Sequence, residues 1–459
     1  MAEALQVDSA IIGAGQAGPA LATALAQRGE QVALIEARQL GGTCVNNGCT
    51  PTKTLRKSAR VAHMARRAHE FGIEVGEVRV DFAAAMDRMQ ARVDAARSGL
   101  EAWVAGTPGL TLVRGWGGFV GGREGAFALQ VGERRVHAKR VYLNTGTRPF
   151  VPPIPGLAEV PHLTNETLLQ LRSLPRHLLI IGGSYIGLEM GQIFRRLGAE
   201  VTVIETAPRI TAREDEDVTA AVTGLLQAEG LRIVTGQPVA KVERAGDGVA
   251  LTVGSERIEG SHLLVATGRL PNTEKLQLKA VGVETDARGF VPTNGRLETN
   301  VPGIWALGDI NKRGAFTHTS YHDHEIVLAN HDGGQRSADD RTMCYAMFTD
   351  PPLGRVGMSE AEARASGRRV RMATFQMKNV SRAKEESETE GLVKLLVDAD
   401  TDRFLGFAML GIGADEILHV FTNFMAAGGT ARTMKEALPA HPTVAEFLPT
   451  ILGQLKPLA

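Results

Sequence analysis

Residues 8–18 read DSAIIGAGQAG, a short apolar run that ends in the spacing Gly-x-Gly-x-x-Gly. An Ala- and Leu-rich stretch follows, and a second apolar run then ends at Glu36. This order predicts a strand, a glycine turn, a helix and a second strand, which is the context that the dinucleotide-binding fingerprint requires. The glycines let the backbone approach a pyrophosphate at the helix N-terminus, and the acid accepts hydrogen bonds from ribose hydroxyls. The glycines concerned are Gly13, Gly15 and Gly18.

The same arrangement recurs later in the chain. Residues 178–187 read LLIIGGSYIG, and Gly182, Gly187 and Glu205 each follow their counterparts in the first copy by 169 residues. Ser184 replaces the middle glycine, but serine is small enough to allow close approach of a phosphate. One such pattern is weak evidence, because glycine-rich turns are common. Two copies in equal register, each ending in an acid, predict two dinucleotide-binding units.

Three further apolar runs end in small or acidic residues. Two of them end in Thr-Gly, at Thr145 and Gly146 and at Thr267 and Gly268, each with a basic residue and a proline nearby. These runs are predicted strands that close the two nucleotide-binding units. The third run ends in Gly-Asp at Asp309. Asp309 is open to two interpretations, a plain strand-to-turn junction or a carboxylate that binds a sugar-like polyol.

Residues 41–53 read GGTCVNNGCTPTK and contain two of the three cysteines, Cys44 and Cys49. Pro51 suits the first turn of a helix, and a helix N-terminus lowers the pKa of a nearby thiol. Lys53 lies one helical turn after Cys49, where its charge also favours a thiolate. Two buried free cysteines are the structural alternative, but the position directly after a nucleotide-binding unit favours redox chemistry. The ligand count predicts no zinc or other metal site, and the four intervening residues do not match a thioredoxin-like motif.

Composition limits the class of protein. The 459 residues correspond to about three domains at roughly 150 residues each. Lys and Arg number 51 and so do Asp and Glu, and this balance argues against a nucleic acid or an anionic membrane as partner. The chain has no apolar run of about 18 residues and no secretory signal pattern, and three cysteines are too few for a disulfide scaffold. We therefore expect a cytoplasmic protein.

The motif GGTCVNxGCxPTK, together with the two glycine fingerprints, the two Thr-Gly ends and Ala-x-Gly-Asp, resembles the flavin-dependent pyridine nucleotide–disulfide oxidoreductases. That family includes glutathione reductase, dihydrolipoamide dehydrogenase and mercuric reductase, and the resemblance runs from about Asp8 to Leu452. Within it, residues 316–321 look closer to the reactive-chlorine-resistance flavoproteins. The resemblance implies an enzyme that passes electrons from NAD(P)H through FAD to a Cys44–Cys49 disulfide and on to a small disulfide substrate.

The resemblance also implies a fold of the α/β class, with two Rossmann-like dinucleotide-binding domains, for FAD and NAD(P), and a C-terminal α+β dimerisation domain. The chain between the motifs includes predicted helices over 57–70 and 82–103, where apolar residues recur at helical spacing. The predicted division is 1–150 for the first part of the FAD domain, 151–270 for the NAD(P) domain, 271–337 for the second, central part of the FAD domain and 338–459 for dimerisation.

Cofactor-binding and catalytic roles follow from the same resemblance. It implies that Cys44 attacks the substrate as the interchange nucleophile and that Cys49 faces the flavin as the charge-transfer thiolate. Lys53 and Glu189 match an ion pair near flavin N5 and the nicotinamide. The residues implied for FAD are Gly13, Gly15, Gly18 and Glu36, with Asp309 on the ribityl chain, and those for the nicotinamide cofactor are Gly182, Gly187 and Glu205. The cofactor-binding set is completed by Gly42, Thr43, Lys53, Thr145, Gly146 and Gly268.

His441 begins the segment His-Pro-Thr-Val-Ala-Glu, which ends at Glu446. By itself, a histidine before proline is most often a turn residue, and its spacing to the acid is only suggestive. The resemblance implies instead an acid–base pair, in which His441 moves the proton of the interchange thiol and Glu446 holds the ring. In the family this histidine reaches the cysteines of the other subunit, which implies a homodimer.

The sequence leaves alternatives for the nicotinamide cofactor and for the substrate. Glu205 favours a free 2′-hydroxyl and thus NADH, although Arg209 and Arg213 lie nearby and keep NADPH open. A small disulfide is the first substrate hypothesis. The second is a metal ion, or an oxidant such as hypothiocyanous acid, at the same thiols, although residues 452–459 lack the paired cysteines of mercuric reductases. The third is a flavoprotein subunit of a larger complex, as for dihydrolipoamide dehydrogenase.

Overall fold

The computed structural model describes residues 4–458. The chain divides into two compact units. The first unit comprises Met1–Thr54, Met86–Phe150 and Gly268–Arg341, and the second comprises Leu55–Ala85, Val151–Thr267 and Thr342–Ala459. The four-part domain division expected from the sequence stays a prediction.

Strands and helices alternate around each of the two glycine fingerprints, and a run of successive strands follows each of these segments. The strands are β1 (Leu5–Ile12), β2 (Val32–Glu36), β3 (Leu110–Arg114), β4 (Gly117–Arg123), β5 (Ala126–Val131), β6 (Arg134–Leu143), β7 (Thr147–Pro149), β8 (His177–Ile181), β9 (Glu200–Glu205), β10 (Arg232–Thr235), β11 (Val239–Ala245), β12 (Gly248–Val253), β13 (Glu256–Gly260), β14 (His262–Val265), β15 (Arg269–Pro271), β16 (Ile304–Ala306), β17 (Cys344–Met347), β18 (Leu353–Gly357), β19 (Val370–Gln376), β20 (Leu392–Asp398), β21 (Phe404–Leu410) and β22 (Lys456–Pro457). The α-helices are α1 (Gly18–Gln27), α2 (Gly42–Asn47), α3 (Cys49–Arg66), α4 (Phe82–Ala105), α5 (Asn165–Leu168), α6 (Tyr185–Leu197), α7 (Glu216–Ala228), α8 (Thr317–His331), α9 (Glu360–Ala365), α10 (Ser381–Glu385), α11 (Ala414–Ala426), α12 (Ala431–Glu436) and α13 (Leu448–Leu452).

The first unit is built on a sheet with the strand order β3-β2-β1-β6-β5-β4, and β16 also pairs with β6. β1 runs parallel to β2 and β6, and β2 runs parallel to β3. Parallel strands are covered on both faces, which accounts for their continuous apolar sequences. On one face, Ile11 and Leu34 pack with the alanines and leucines of α1. On the other, Ile12, Ile35 and Phe127 share a second core.

The second unit contains a parallel sheet with the order β10-β9-β8-β14. Helix α6 packs against β8 and β9, so the second fingerprint repeats the strand–turn–helix–strand order of the first. A three-stranded antiparallel sheet, β11-β12-β13, covers part of this core, where Leu251 and Ile258 meet Leu179 and Ile181.

The C-terminal part of the second unit is an antiparallel sheet with the order β17-β18-β21-β20-β19-β22. Every residue of the central strands β20 and β21 is buried. Helix α11 packs against β18 and β21, and the rings of Phe407 and Phe421 stack with 4.1 Å between their centroids. The predicted α/β fold is confirmed, with two nucleotide-type sheets built on parallel strands, of which the first also contains the antiparallel strands β4 and β5, and with a C-terminal α+β part.

Three helix boundaries differ from the sequence expectation, one of them at the end of α4, which reaches Ala105 instead of residue 103. The helix predicted over 57–70 begins earlier, at Cys49, and its α-helical part ends at Arg66. It extends to Cys49 because Pro51 is tolerated in a first turn, where its missing N–H has no intrahelical partner to lose. Across residues 4–458, no helix has the length and apolar character that crossing a bilayer requires.

Candidate functional site

Gly13 and Gly15 lie in the turn between β1 and α1, and Gly18 is the first residue of α1. Gly13 has a φ of 105°, and a Cβ atom there would lie 2.3 Å from the carbonyl oxygen of Asn144. A Cβ atom on Gly18 would lie 2.2 Å from the carbonyl oxygen of Gly13. The turn therefore requires glycine at both positions, and it leads into the N-terminus of the ten-residue α1, whose dipole favours a phosphate. These residues fit the pyrophosphate of FAD.

Glu36 and Glu205 end their fingerprints in the same way. Each carboxylate accepts a hydrogen bond from the backbone N–H of the residue after the first glycine, at 2.7 Å in both cases. Each accepts a second from the backbone N–H two positions after itself, at 2.7 Å for Glu36 and 2.8 Å for Glu205. The repeat in the sequence is therefore a repeat in the structure, with an acid held beside each glycine turn.

The second glycine turn has the same constraints as the first. Gly182 has a φ of 116°, and a Cβ atom there would lie 2.4 Å from the carbonyl oxygen of Ala266. A Cβ atom on Gly187 would lie 2.1 Å from the carbonyl oxygen of Gly182. Ser184 precedes α6 with a φ of −108°, a conformation open to residues with side chains, so serine is accommodated there.

The other predicted cofactor residues of the first unit lie around its glycine turn. A Cβ atom on Gly42 would lie 2.9 Å from the Cα atom of Gly15, so the start of α2 packs on the turn. Thr145 follows β6, and its hydroxyl donates to a backbone carbonyl after β15 at 2.8 Å. Gly146 and Gly268 have φ values of 63° and 140°, which glycine adopts without strain.

Arg269, which the sequence analysis noted only as a basic residue after Thr-Gly, links three of these elements. Its guanidinium lies 3.3 Å from the hydroxyl of Thr43 and 2.7 Å from the hydroxyl of Thr147. The Thr147 hydroxyl donates to Asp309 at 3.1 Å. Burial raises the pKa of Asp309, and a buried carboxylate is stabilised by hydrogen-bond donors. This environment fits the polyol interpretation of Asp309, because ribityl hydroxyls are such donors.

Asn144 is a second residue to which the sequence analysis assigned no role. Its side-chain oxygen accepts a hydrogen bond from the backbone N–H of Gly18 at 3.0 Å, and its side-chain nitrogen donates to the carbonyl of Leu307 at 2.9 Å. It therefore ties the start of α1 to the strand that precedes Asp309. The sequence offered one indication of this role. Asn144 is a polar residue at the end of an apolar run, directly before Thr-Gly.

Cys44 lies on α2 and Cys49 is the first residue of α3, and both are half-buried thiols. Gly48 separates the two helices, and a Cβ atom there would lie 2.9 Å from the carbonyl oxygen of Thr43. This close turn allows two cysteines five positions apart to approach each other, close enough for Cys49 to raise the pKa of Cys44. The thiol pair and the first glycine turn belong to the same unit.

The neighbouring sulfur changes the acidity of Cys44. The hydrogen bond to Cys49, burial, and negative charge at Cys49 raise the pKa of Cys44. The sequence predicts a lowered thiol pKa beside a helix N-terminus, and at Cys44 the direction is the opposite because the neighbouring sulfur competes for the proton. Cys49 stands at the N-terminus of α3, and its Sγ lies 3.1 Å from the hydroxyl of Thr317, the first residue of α8. Thr317 is a further residue to which the sequence analysis gave no role.

Lys53 is half-buried in the first turns of α3, in the first unit. Glu189 is buried on α6, in the second unit, where its carboxylate accepts a hydrogen bond from the backbone N–H of Phe348 at 2.8 Å. The ion pair between Lys53 and Glu189 stays a prediction.

His441 and Glu446 form a hydrogen-bonded pair in the second unit. Nδ1 of His441 lies 2.9 Å from a carboxylate oxygen of Glu446. The imidazole is 76% exposed, whereas the carboxylate is 12% exposed. The structure thus brings together the two residues that the sequence paired only weakly, and it presents the histidine at the surface. Nearby, Leu438 is almost completely exposed.

No set of three or more His, Cys, Asp or Glu side chains within residues 4–458 is arranged to hold a metal ion. The absence of a resident metal stays a prediction.

Comparison with known proteins gives two family matches. Residues 7–323 match the family described as pyridine nucleotide-disulphide oxidoreductase, and residues 343–451 match its dimerisation domain. The chain is 33% identical over 451 residues to the probable pyridine nucleotide-disulfide oxidoreductase RclA of Escherichia coli (strain K12), covering 97% of this chain and 98% of that one. It is 35% identical over 448 residues to mercuric reductase of Streptomyces lividans, covering 96% and 94%.

A dihydrolipoyl dehydrogenase of Chlamydia muridarum is 32% identical over 443 residues, covering 96% of this chain and 94% of the relative. Among solved structures, the HOCl-induced flavoprotein disulfide reductase RclA from Escherichia coli has a TM-score of 0.89 and 33% identity, with 97% of this chain and 99% of that one covered. Its Cu(II) complex has the same TM-score, identity and coverage.

Proposed function

Because the chain belongs to the pyridine nucleotide-disulphide oxidoreductase family, we propose that Cys44 and Cys49 are the redox pair with which it reduces a small disulfide. The family resemblance expected from the thiol motif is confirmed, including its RclA-like character. The chain is accordingly an oxidoreductase that uses FAD and NAD(P)H. FAD would be held by Gly13, Gly15, Gly18 and Glu36, and when bound it would supply the two-electron chemistry that links the nicotinamide to the disulfide. Specific residue roles and the substrate are the proposed part.

The observation that carries the proposal is the unequal environment of the two sulfurs. Cys49 lies at the start of α3 and beside the hydroxyl of Thr317, two features that favour a thiolate. Cys44 keeps its proton more tightly, because the hydrogen bond to Cys49 raises its pKa. Cys44 therefore needs a base before it can act as a nucleophile, whereas the helix N-terminus and the Thr317 hydroxyl stabilise negative charge at Cys49. This division matches interchange at Cys44 and charge transfer at Cys49.

In the proposed disulfide half-reaction, the substrate disulfide receives two electrons and two protons. The Cys44 thiolate attacks one sulfur of the substrate, a mixed disulfide forms, and the first thiolate product leaves with a proton from the imidazolium of His441. The Cys49 thiolate then attacks the Sγ of Cys44, which restores the Cys44–Cys49 disulfide and releases the second thiolate, and this product takes its proton from water. The proton given to the first product is the one that His441 removed from the Cys44 thiol. Two electrons from the reduced pair convert one disulfide into two thiols.

His441 is proposed to act in a homodimer, on the thiols of the partner subunit. The chain has a dimerisation domain at residues 343–451, and His441 lies within it. The imidazole is oriented by Glu446 yet mostly exposed. An exposed, oriented base can act on the thiols of a partner subunit when the two copies associate. An active site shared between two copies would make the dimer the catalytic unit.

Glu205 supports NADH as the preferred donor. A carboxylate at this place accepts hydrogen bonds from ribose hydroxyls and repels a 2′-phosphate. Arg209 is paired at 3.0 Å with Glu216, which reduces its availability for a phosphate, and Arg213 is exposed. We also propose a cytoplasmic location, where NADH is supplied and thiols are kept reduced.

A second candidate substrate for the same thiols is a metal ion or an oxidant. The chain is 35% identical to a mercuric reductase, and a similar solved structure is described as HOCl-induced and as a Cu(II) complex. A dithiol reduces two Cu(II) ions to Cu(I) as it becomes a disulfide and releases two protons. It reduces hypothiocyanous acid to thiocyanic acid and water by the same two-electron change.

A substrate panel with NADH as donor tests these proposals. The compounds are oxidised glutathione, lipoamide, other low-molecular-weight disulfides, mercuric ion, Cu(II) and hypothiocyanous acid. The proposal expects the highest kcat/KM for one of the disulfides and loss of that activity in Cys44→Ser. A higher kcat/KM for a metal ion or for the oxidant would replace the disulfide proposal with the second candidate. A preference for lipoamide together with stable association in a larger complex would favour the subunit hypothesis.

A further inference from the structure

Trp116 lies at the surface of the first unit, in the segment that joins β3 to β4. Its side chain is 50% exposed. Nζ of Lys275 lies 3.9 Å from the centre of the indole ring, and the guanidinium carbon of Arg38 lies 6.0 Å from it. Cations at these distances are attracted to the electron-rich face of tryptophan and hold the ring in place. Exposed tryptophans are often contact surfaces for other rings, because they offer a large flat area with little conformational freedom to lose.

The segment that contains Trp116 is attached to the acid of the first fingerprint. The backbone N–H of Gly115 donates to the carbonyl of Glu36 at 2.9 Å, and the strand register pairs Glu36 with Arg114. The backbone N–H of Arg38, one of the two cations on the indole, donates to the Glu36 carboxylate at 2.7 Å. Trp116 directly follows Gly115, which is bonded to Glu36, and Arg38 is itself bonded to Glu36. The indole and one of its two cations are therefore both held close to Glu36.

The same segment lies over the carboxyl ends of the first two strands. A Cβ atom on Gly117 would lie 3.0 Å from the side chain of Ile35 and 3.4 Å from that of Ile12, the residues that precede the acid and the glycine turn. In a dinucleotide-binding unit the pyrophosphate lies at the glycine turn and the ribose at the acid, on this edge of the sheet. The base attached to that ribose therefore belongs beyond Glu36, on the side where Trp116 lies.

Lys275 is placed by the backbone rather than by a flexible surface loop. A Cβ atom on Gly118 would lie 2.6 Å from the carbonyl oxygen of Lys275. The next residue, Leu276, accepts a hydrogen bond from the backbone N–H of Phe119 at 2.9 Å and is buried. The lysine therefore approaches the indole from a fixed segment, and the ring surface that it leaves exposed is preformed.

We propose that Trp116 is the stacking surface for the adenine ring of FAD, with Lys275 and Arg38 as the groups that position the indole. An aromatic side chain stacks on a purine through its π-face, and a positioned ring loses little freedom when the base binds. Trp116 is in this view a cofactor-retaining residue of this chain, independent of the substrate that the thiols reduce. It adds a side-chain contact to the part of FAD farthest from the thiol pair.

Flavin release from the holoprotein tests the proposal. Trp116→Ala is expected to release FAD about tenfold faster after dilution, which corresponds to about 1.4 kcal/mol and lies within the range measured for loss of a base-stacking ring. The rise of flavin fluorescence gives the rate. Trp116→Phe keeps a stacking ring and is expected to stay within about threefold of the original rate. The matched control is Trp103→Ala, because Trp103 is 45% exposed in the last turn of α4.

A second measurement separates loss of stacking from general loosening of the unit. FMN has no adenine, so excess FMN is expected to displace FAD from Trp116→Ala more completely than from the original protein or from Trp103→Ala. In Trp116→Phe, the increase of tryptophan fluorescence on flavin release is expected to shrink, and in Trp103→Phe it is expected to persist. Equal release rates and equal FMN displacement for the two alanine variants would overturn the proposal. A wild-type protein that retains no flavin would instead contradict the family function.

Discussion

The Sγ atom of Cys49 lies 3.1 Å from the Oγ1 atom of Thr317, and each residue is the first of its helix, α3 and α8. Two helix N-termini and a hydroxyl donor thus meet at one sulfur. Partial positive charge at helix N-termini and a hydrogen bond to the charged form both favour a thiolate. Thr317 also influences the second thiol. It acts to lower the pKa of Cys44, but Cys49 and burial raise that pKa by more.

Thr317→Val removes the hydroxyl and keeps the volume of the side chain. A hydrogen bond to a charged group contributes about 1.5–3 kcal/mol, so loss of this bond is expected to raise the midpoint of thiolate formation by about one pH unit. The measurement is a pH titration of the long-wavelength thiolate–flavin absorbance in the two-electron-reduced enzyme. Thr317→Ser is the matched control and should keep the original midpoint. An unchanged midpoint in Thr317→Val would show that the hydroxyl does not stabilise the thiolate.

Cys44→Ser is expected to abolish disulfide reduction, by at least about 10³-fold, because serine cannot form the mixed disulfide. Reduction of the flavin by NADH should continue, since hydride transfer does not need the interchange thiol. Stopped-flow absorbance separates the two half-reactions. Cys344→Ser is the control, because Cys344 lies on β17 and outside the proposed redox pair. Loss of flavin reduction in Cys44→Ser would contradict the proposed division of roles.

His441→Ala is expected to slow the disulfide half-reaction by about 10²–10⁴-fold, the usual effect of removing a general acid–base residue. Glu446→Gln should have a smaller effect in the same direction, because the imidazole loses its orienting carboxylate. Both rates are measured under single-turnover conditions with pre-reduced enzyme. His162→Ala serves as control, since His162 has no proposed catalytic role and its Nδ1 lies 3.1 Å from the backbone carbonyl of Val160. If His441→Ala reacts at the original rate, His441 is a turn residue.

Glu205→Gln is expected to raise kcat/KM for NADPH relative to NADH by about tenfold, because a like-charge repulsion against a 2′-phosphate is removed while a side-chain acceptor remains. The control Glu256→Gln changes an exposed acid that pairs with Arg232 and has no proposed role in cofactor choice. Steady-state kinetics with both donors provide the ratio. A wild-type enzyme that already uses NADPH with the higher kcat/KM would contradict the role given to Glu205.

Asp350 provides a test of stability in the second unit. Burial acts to raise its pKa, but Arg60 and Arg196 outweigh that effect and hold the pKa at about 2. A carboxyl whose pKa is lower in the folded state contributes stability above its unfolded pKa of 3.8, and this stability is lost as the pH falls through that value towards 2. Acid unfolding should therefore steepen in this window.

Asp350→Asn is expected to lower the free energy of unfolding at pH 7 by about 3 kcal/mol, because it leaves buried Arg196 with one fewer charged partner. Its deficit relative to the original protein should shrink as the pH falls from 3.8 towards 2. Urea titrations at several pH values give both quantities. Asp332→Asn, which removes an exposed partner of Arg28, should leave the urea midpoint unchanged. A pH-independent deficit would mean that packing rather than charge accounts for the loss.

Much of the fold was predictable from the sequence because its signals are local. Glycine is required at positions 13 and 182 by positive φ values and by backbone oxygens that would lie within 2.4 Å of any Cβ atom, so the spacing alone identified the turns. The cysteine motif was equally informative, since the glycine between the two cysteines permits the close turn at Gly48 that brings them together. The start of α3 at Cys49 was missed, because apolar periodicity becomes visible only further along the helix.

The chain by itself determined the repeated nucleotide-binding units, the thiol pair and the His441–Glu446 segment, because each depends on residues near one another in sequence. Only the tertiary structure decided which distant groups complete them. Thr317 is 268 residues from Cys49, and Lys275 is far along the chain from Trp116, yet each pair is in contact. Such contacts form where separate strands and helices end at the same edge of a sheet, and no local pattern of residues specifies that meeting point.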